Sequence, residues 1–379
     1  MEKKELNSMK KQRTRLAIRV LLLMLACIVT GMLGACNLPF GGSAADSKSG
    51  LPIPQTRNFK LYVRDNWLTM PDGKKVYVFG YTDNPNGHAQ IPGPPIIVNE
   101  GDKVNVTLIN DKDPTLTKYN PGGDGHTIHL HGLDLYSTSD GDPMTTPPRS
   151  ASGTPLPSGS KQKDEKTGSL KQGEQFTYSF IADHAGTYWY HCHEATPEHI
   201  QMGMYGAVIV KPIAHPNQAY LNSPKFDLDS TFVLSDLDLP GHNNDYSKLY
   251  KNTPDVDWTK SKVSYALLNG KAWPATNQDP RSTINAKAGQ TVLLRLINAG
   301  TQIFTLSAPG LKFQTVGTDG RKLDQYPITD SVIIGPAEHN DVLVHFDHAG
   351  KYILHEHIDE NVPSSVPTTD GNLTTITVR

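Results

Sequence analysis

The stretch Tyr190-His191-Cys192-His193, followed by His199 and Met204, holds the residues best suited to chemistry in this chain. A thiolate, an imidazole seven residues on and a thioether five residues further are the donors of a blue-copper electron-transfer site. Such a site takes two His, one Cys and a weak axial Met. Zinc fits poorly, because it has no use for the Met. The second His must come from elsewhere, and the run His126-Thr127-Ile128-His129-Leu130-His131-Gly132 offers candidates.

Both runs lie among β-forming residues (Thr187-Tyr188-Trp189-Tyr190 precedes the Cys), so both are read as strand ends. Side chains on a strand alternate between its faces. Cys192 therefore points one way, and His191 and His193 the other. His126 and His129 face opposite ways, while His129 and His131 share a face. The simplest assembly places His126 with Cys192, His199 and Met204. On the other face His129, His131, His191 and His193 form a second cluster. The peptide bonds around Cys192 join the two sites, a short path for electrons. His191, Cys192 and His193 are thus the expected catalytic residues. Met202 has the same strand parity as Met204 and is read as packing.

These motifs resemble those of the multicopper oxidases and their relatives, the copper nitrite reductases. The resemblance rests on His126-x-x-His129-x-His131-Gly132, His191-Cys192-His193 and His199-x-x-x-Gly203-Met204. Pro92-Gly93-Pro94-Pro95, Asp140-Gly141-Asp142-Pro143 and Leu268-Asn269-Gly270-Lys271-Ala272-Trp273-Pro274 add to it, so it covers most of residues 60–379. It implies a laccase-like enzyme with a type 1 copper and a type 2/type 3-like copper cluster. Electrons would come from a phenolic, metal-ion or protein donor, and dioxygen would be reduced to water. In two-domain relatives the cluster forms between domain one of one subunit and domain two of the next, which implies a homotrimer.

The elements that hold these residues are short strands. Gly 32 and Pro 28, with few long amphipathic periods, argue for an all-β sandwich or barrel. An internal repeat argues for two of them. Asp183-His184-Ala185-Gly186-Thr187-Tyr188 before His191-Cys192-His193 matches Asp347-His348-Ala349-Gly350-Lys351-Tyr352 before His355-Glu356-His357. Gly101 and Gly289 each precede a strand-like run ending Ile-Asn. With the resemblance, the expected fold is two tandem cupredoxin-like Greek-key domains, 58–213 with the type 1 copper and 229–379 without it, joined by a linker at 214–228. Met144 to Gln175 reads as a long loop. The net charge of −2 gives no indication of nucleic-acid binding.

Residues 1–36 have a basic start, a short apolar run and the ending Leu33-Gly34-Ala35-Cys36, the pattern of a bacterial lipoprotein signal. Lipidated Cys36 would anchor an extracytoplasmic protein to the membrane through the flexible tether 37–57. Cys192 is then a lone thiol in a compartment that permits disulfides, which suits a metal ligand.

The second domain departs from the pattern. Glu356 replaces the Cys and is read as a hydrogen-bonded core or interface carboxylate. His355 and His357 are expected to join the cluster from a neighbouring subunit. Thr305 and Ser307 are aligned with His129 and His131, so six of the eight His that the resemblance implies remain. The first His of each His-x-His pair would serve the single copper, which leaves His129 alone there. His184 and His348 are read as structural hydrogen-bonding residues of matching turns. His88, His215, His242, His339 and His345 lack ligand-like spacing. Glu194 and Glu198 are read as solvated carboxylates, with binding of a cationic substrate as the alternative. Three functions stay open: a dioxygen-using oxidase, a nitrite-reductase-like enzyme, and a non-enzymatic copper-binding electron carrier.

Overall fold

Val104, Val106 and Leu108 alternate with polar residues along Lys103–Asn110, and that run is a strand with one buried face. The same logic builds the rest of the computed structural model, which describes residues 53–111, 125–136, 139–145, 168–251, 255–358 and 371–379. The expected signal segment, Cys36, most of the tether and most of the long loop lie outside the described residues.

The first half contains β1 (Thr56–Thr69), β2 (Lys75–Thr82), β3 (Ile96–Asn99), β4 (Lys103–Asn110), β5 (His129–His131), β6 (Glu174–Ile181), β7 (Gly186–His191) and β8 (Tyr205–Lys211). They form two sheets, ordered β2-β1-β4-β6 and β3-β8-β7-β5. Helix α1 (Thr196–Met202) connects β7 to β8. The second half contains β9 (Leu228–Leu237), helix α2 (Leu239–Lys251), β10 (Tyr265–Leu268), β11 (Ile284–Ala286), β12 (Thr291–Asn298), β13 (Phe304–Ser307), β14 (Phe313–Thr318) and β15 (Arg321–Lys322). It closes with β16 (Ile328–Thr329), β17 (Ser331–Ile334), β18 (His339–His345), β19 (Gly350–Ile358) and β20 (Asn372–Val378). Its sheets run β10-β9-β12-β18-β14-β15 and β11-β20-β19-β13-β17.

Each strand of the first half has a counterpart in the second, which adds β14 to β17. β1 is parallel to β4 as β9 is to β12, and β3 is parallel to β8 as β11 is to β20. The matching turns carry the same hydrogen bond: the Tyr188 hydroxyl donates to the His184 carbonyl, and the Tyr352 hydroxyl to the His348 carbonyl. The structural role expected of those two His residues is made by their backbone. Each half has its own core, one around Val106, Tyr178 and Tyr190, the other around Phe232, Leu294 and Phe304. This is the expected all-β, two-sandwich fold.

A third apolar cluster joins the halves: Val78, Ile91, Trp189, Tyr205 and Ile209 pack on Val233, Leu237, Leu267 and Ile297. That interface explains why β7 is buried at every position. Tyr188 and Tyr190 point into the first core, and Trp189 points into the interface. A buried polar knot adds to it, in which the Thr187 hydroxyl and the Tyr220 hydroxyl both donate to Asp341, beside Arg295. Tyr220 and Phe226, within the expected linker, pack on Leu293 and Leu343.

Glu356 lies in the core as expected but departs from the expected hydrogen bonding. It is buried, and among the described residues its Oε2 has no hydrogen-bond partner. Burial, with Asp236 nearby, raises its carboxyl to about 7. A carboxyl that ionises later in the folded chain than in the unfolded one stabilises fully below the unfolded value near 4.5. That contribution falls as pH rises and is gone above about 7, a loss of about 3 kcal/mol. In urea denaturation of the metal-free protein, Glu356→Gln should therefore be more stable than the parent at pH 8. The difference should vanish at pH 4.5, and equal stability at both pH values would refute the assignment.

Candidate metal centre

Cys192 follows the end of β7, its backbone N–H donating to the Met204 carbonyl and its side chain turned into the first core. Its Sγ lies 3.2 Å from His199 Nδ1 and 3.8 Å from His126 Nδ1. Three donors spread evenly round one ion, at bond lengths of about 2.0–2.3 Å, stand about 3.5–3.7 Å apart. The observed spacings bracket that value, so the thiolate and two imidazoles fit a single soft ion. All three residues are buried, and so is Met204 in the same core.

The local chain explains how these residues converge. Between Cys192 and Met204 the chain forms α1, which carries His199 and ends at Gly203 with φ 119°. A Cβ there would overlap Ile91 and crowd the Phe79 carbonyl, so only glycine lets the helix end this close to β2. Met202 is the last residue of that helix and is buried as packing, whereas Met204 follows the turn. The separation between the two Met residues therefore comes from a helix end, where strand parity does not apply.

On the opposite face of β7, His129, His131 and His191 place one ligand atom each within 4.8 Å of one another. β5 pairs with β7 so that His129 is opposite His191 and His131 is opposite Trp189. His193 joins them, with ring centroids 4.9 Å from His129 and 5.8 Å from His191. The backbone selects the tautomers. His129 Nδ1–H donates to the Asp140 carbonyl and His191 Nδ1–H to the Cys192 carbonyl, which makes Nε2 the unprotonated nitrogen of both rings. His131 Nδ1 faces His191 Nε2 at 3.3 Å. Burial lowers all three imidazole pKa values, His131 to about 4 and His191 well below the usual range. Convergent neutral imidazoles suit copper. Asp140 comes this close because Gly141, at φ 83°, leaves room for the Ile128 carbonyl, where a Cβ would collide.

No contact within the chain brings His355 or His357 to this group among the described residues. They stand on the outer face of the second sandwich, His355 half-buried and His357 exposed. Strand pairing also corrects the alignment there. In the first sandwich His129 is opposite His191; in the second, Ser307 is opposite His355 and Thr305 is opposite His357. Since His355 repeats His191, Ser307 takes the place of His129, Pro309 that of His131 and Thr305 that of Thr127. Gly132 and Gly310, both with φ near 84°, fix the match. The two missing imidazoles are at 307 and 309 rather than 305 and 307. By the same register Phe304 stands where the first sandwich has His126.

Glu194 is not solvated as expected: it is buried and accepts a hydrogen bond from Ser169 Oγ. Glu198 is half-buried. Two His residues set aside on spacing are buried beside these sites. His339, from the second sandwich, lies with its ring 6.0 Å from that of His131, and neither of its nitrogens has a hydrogen-bond partner among the described residues. His242, on α2, has its Nδ1 2.6 Å from the Tyr77 carbonyl and its Nε2 3.3 Å from Gln201 Oε1. Both were invisible in the sequence because their neighbours are more than 150 residues away or lie across the interface.

Comparison with known proteins points the same way. Models of the multicopper oxidase family match residues 56–214 and 231–377. Laccase-15 of Oryza sativa subsp. japonica is 29% identical over 280 residues, covering 70% of this chain and 39% of its own length. Multicopper oxidase LPR2 of Arabidopsis thaliana is 27% identical, covering 86% of this chain and 55% of its own. The chain thus spans about half, or less, of the length of these relatives. Among solved structures, a blue copper oxidase from Nitrosomonas europaea superposes with a TM-score of 0.63 at 28% identity, covering 85% of this chain and 86% of that one.

Burial pushes the Cys192 thiol up to about 11, so the metal-free site holds a proton that a metal must displace. Above about pH 7, where free imidazoles are neutral, one proton should leave per ion bound at the sulfur, and apparent affinity should rise about tenfold per pH unit. Competition titrations at several pH values check this, and a flat profile would show that the thiol is not a ligand.

Proposed function

Because the chain belongs to the multicopper oxidase family, we propose that it is an exported copper oxidoreductase that takes single electrons from a phenolic, metal-ion or protein donor and uses dioxygen as the acceptor. The observation that carries this reading is the pair of donor sets on opposite faces of β7: Cys192 with His126 and His199, and His129 with His131 and His191.

Copper held in these two places supplies one-electron transfer at the sulfur site and dioxygen reduction at the imidazole cluster. The chain's own residues do the rest. Cys192, His126, His199 and Met204 hold the first ion in a dry core, which raises the cost of any change in its charge and so sets its potential. Cys192 is bonded directly to His191 and His193, so a covalent path of a few atoms links the two donor sets. Asp140 and Cys192 accept the Nδ1 protons of His129 and His191 and keep their Nε2 atoms available.

His355 and His357 complete the cluster of a neighbouring copy. The support is that they lie on an open sheet face, in cross-strand rows with Ser307 and Thr305, away from their own chain's cluster. A closed rotational assembly, a homotrimer, supplies each cluster from the next subunit. Lipidated Cys36 and the tether hold this assembly outside the cytoplasmic membrane. With Ser307 and Pro309 at two ligand positions, the cluster has six imidazoles, and the single-copper position has His129 alone.

Metal analysis with visible and EPR spectra tests the core of the proposal. The parent should be blue, and Cys192→Ser should lose the colour and donor oxidation while keeping its β-rich circular dichroism. A variant that still oxidises donors at the parent rate would end the proposal.

Copper content tests the register. The parent should hold fewer than the four coppers per protomer that the family resemblance implies for a complete enzyme. Ser307→His combined with Pro309→His should raise both copper content and oxygen consumption, whereas Thr305→His should change neither. Four tightly held coppers in the parent would show that another group closes the cluster.

A further inference from the structure

Helix α1 is poorly equipped to hold its own shape. It has seven residues, and its N-cap Ala195 makes no side-chain cap. A helix this short is held by tertiary contacts rather than by its own hydrogen bonds. Yet it must present His199 to Cys192 and deliver the chain to Met204. Its inner side is held by the first sandwich, where Phe79 stands edge-on to His199 at 5.5 Å and Ile91 abuts Gly203. Gln201 is two residues beyond His199, about 200° round the helix, and therefore faces the other way.

That other side meets the second sandwich. The Gln201 amide is buried, at 7% exposure. Its Nε2 donates to Asp236 Oδ1 at 3.1 Å, and its Oε1 accepts from the Asp238 backbone N–H at 3.0 Å. Asp236 is itself fixed by the backbone N–H groups of Thr301 and Gln302 and by the Thr301 hydroxyl. The amide is thus clamped to a rigid point at the end of β9. Two of its three contacts favour this orientation, since a flipped amide would set its oxygen against a carboxylate and its NH2 against a backbone N–H; the third is His242 Nε2, 3.3 Å from Oε1.

We propose that Gln201 is a positioning residue for the sulfur site: through it the second domain, which lacks a site of its own, sets the geometry of His199 and Met204 in the first. This rests on the copper reading above. Removing the amide would leave the buried Asp238 N–H without its side-chain acceptor and Asp236 Oδ1 with one donor fewer, the Thr301 hydroxyl remaining. It would also free the outer side of the helix, so that His199 and Met204 could drift relative to Cys192.

The test compares the copper-loaded parent with Gln201→Met, which keeps the volume and loses the amide. Tyr265→Phe, which cuts an exposed inter-domain hydrogen bond to Asp72 and leaves both Gln201 amide hydrogen bonds in place, is the control. Gln201→Met should shift the midpoint potential of the blue site, alter its copper hyperfine splitting and lose copper to a chelator about tenfold faster. Tyr265→Phe should match the parent in all three. In the metal-free proteins, amide hydrogen exchange over residues 196–204 should quicken in Gln201→Met alone. Should that variant not fold, Gln201→Asn, an amide one methylene shorter, should shift the potential in the same direction by less. A parent-like potential and loss rate in whichever variant folds would overturn the inference, even if its melting temperature drops. An equal shift in Tyr265→Phe would overturn it as well. A colourless parent would overturn the copper reading together with this inference, whereas a blue parent with an unmoved variant would overturn this inference alone.

Discussion

The structure depends on one constraint, the alternation of side chains across β7. Because consecutive residues of a strand face opposite ways, a single run can give sulfur to one site and imidazoles to another. For this to work both faces of the strand must be buried. A sandwich buries one face of each sheet; the other is usually wet. Here the second face of β7 is covered by the neighbouring sandwich, through Trp189 and the cluster around Val233 and Leu267. Trp189 also packs at a tilt against His191, with centroids 4.4 Å apart, and its ring centroid lies 5.0 Å from that of His131. The contact that joins the two domains therefore also forms a wall of the imidazole cluster.

Duplication gives the second sandwich the same strands with different contents. Phe304 stands where the first has His126, and Glu356 where it has Cys192. Phe304 is fully buried and fills the volume of a ligand with an aromatic ring. Glu356 keeps a polar atom there at an energetic cost, since burial raises its carboxyl toward neutrality. The second domain has lost the means to hold a sulfur-bound ion while keeping the strands that would frame one. Its remaining roles are mechanical and electrostatic: it covers β7, anchors α1 through Asp236 and presents His355 and His357 on an open face.

Much of this was legible because strand parity is a local rule. The sides taken by Cys192, His191, His193, His126 and His129 follow from sequence alone, and so does the repeat of Gly186 and Gly350 before their histidines. Where parity stops, so does the reading. Residues 196–202 form a helix, so the rule could not separate Met202 from Met204. By motif spacing Thr305 and Ser307 align with His129 and His131, but hydrogen-bond register puts those ligand positions two residues further along, at Ser307 and Pro309, with Gly132 and Gly310 as the landmarks. Glu194, His339 and His242 looked solvated or idle because their neighbours, Ser169, His131 and Tyr77, are brought in by the fold. Long-range pairing of this kind leaves no mark on nearby sequence.

Cys192 serves both sites, and the second service is made by its backbone. Its sulfur lies within 4 Å of two imidazole nitrogens in one core. Its carbonyl oxygen accepts the Nδ1 proton of His191 at 2.9 Å on the other side. That bond fixes the His191 tautomer and turns its Nε2 toward His131. A substitution that keeps the backbone but removes the sulfur disturbs the first site and spares the second, because the carbonyl remains. A change in the path of the chain at this residue disturbs both at once. The two donor sets are thus linked twice at one residue, by the covalent chain and by the hydrogen bond that orients His191. This is why the strand end at 191–193, rather than either site alone, sets the architecture.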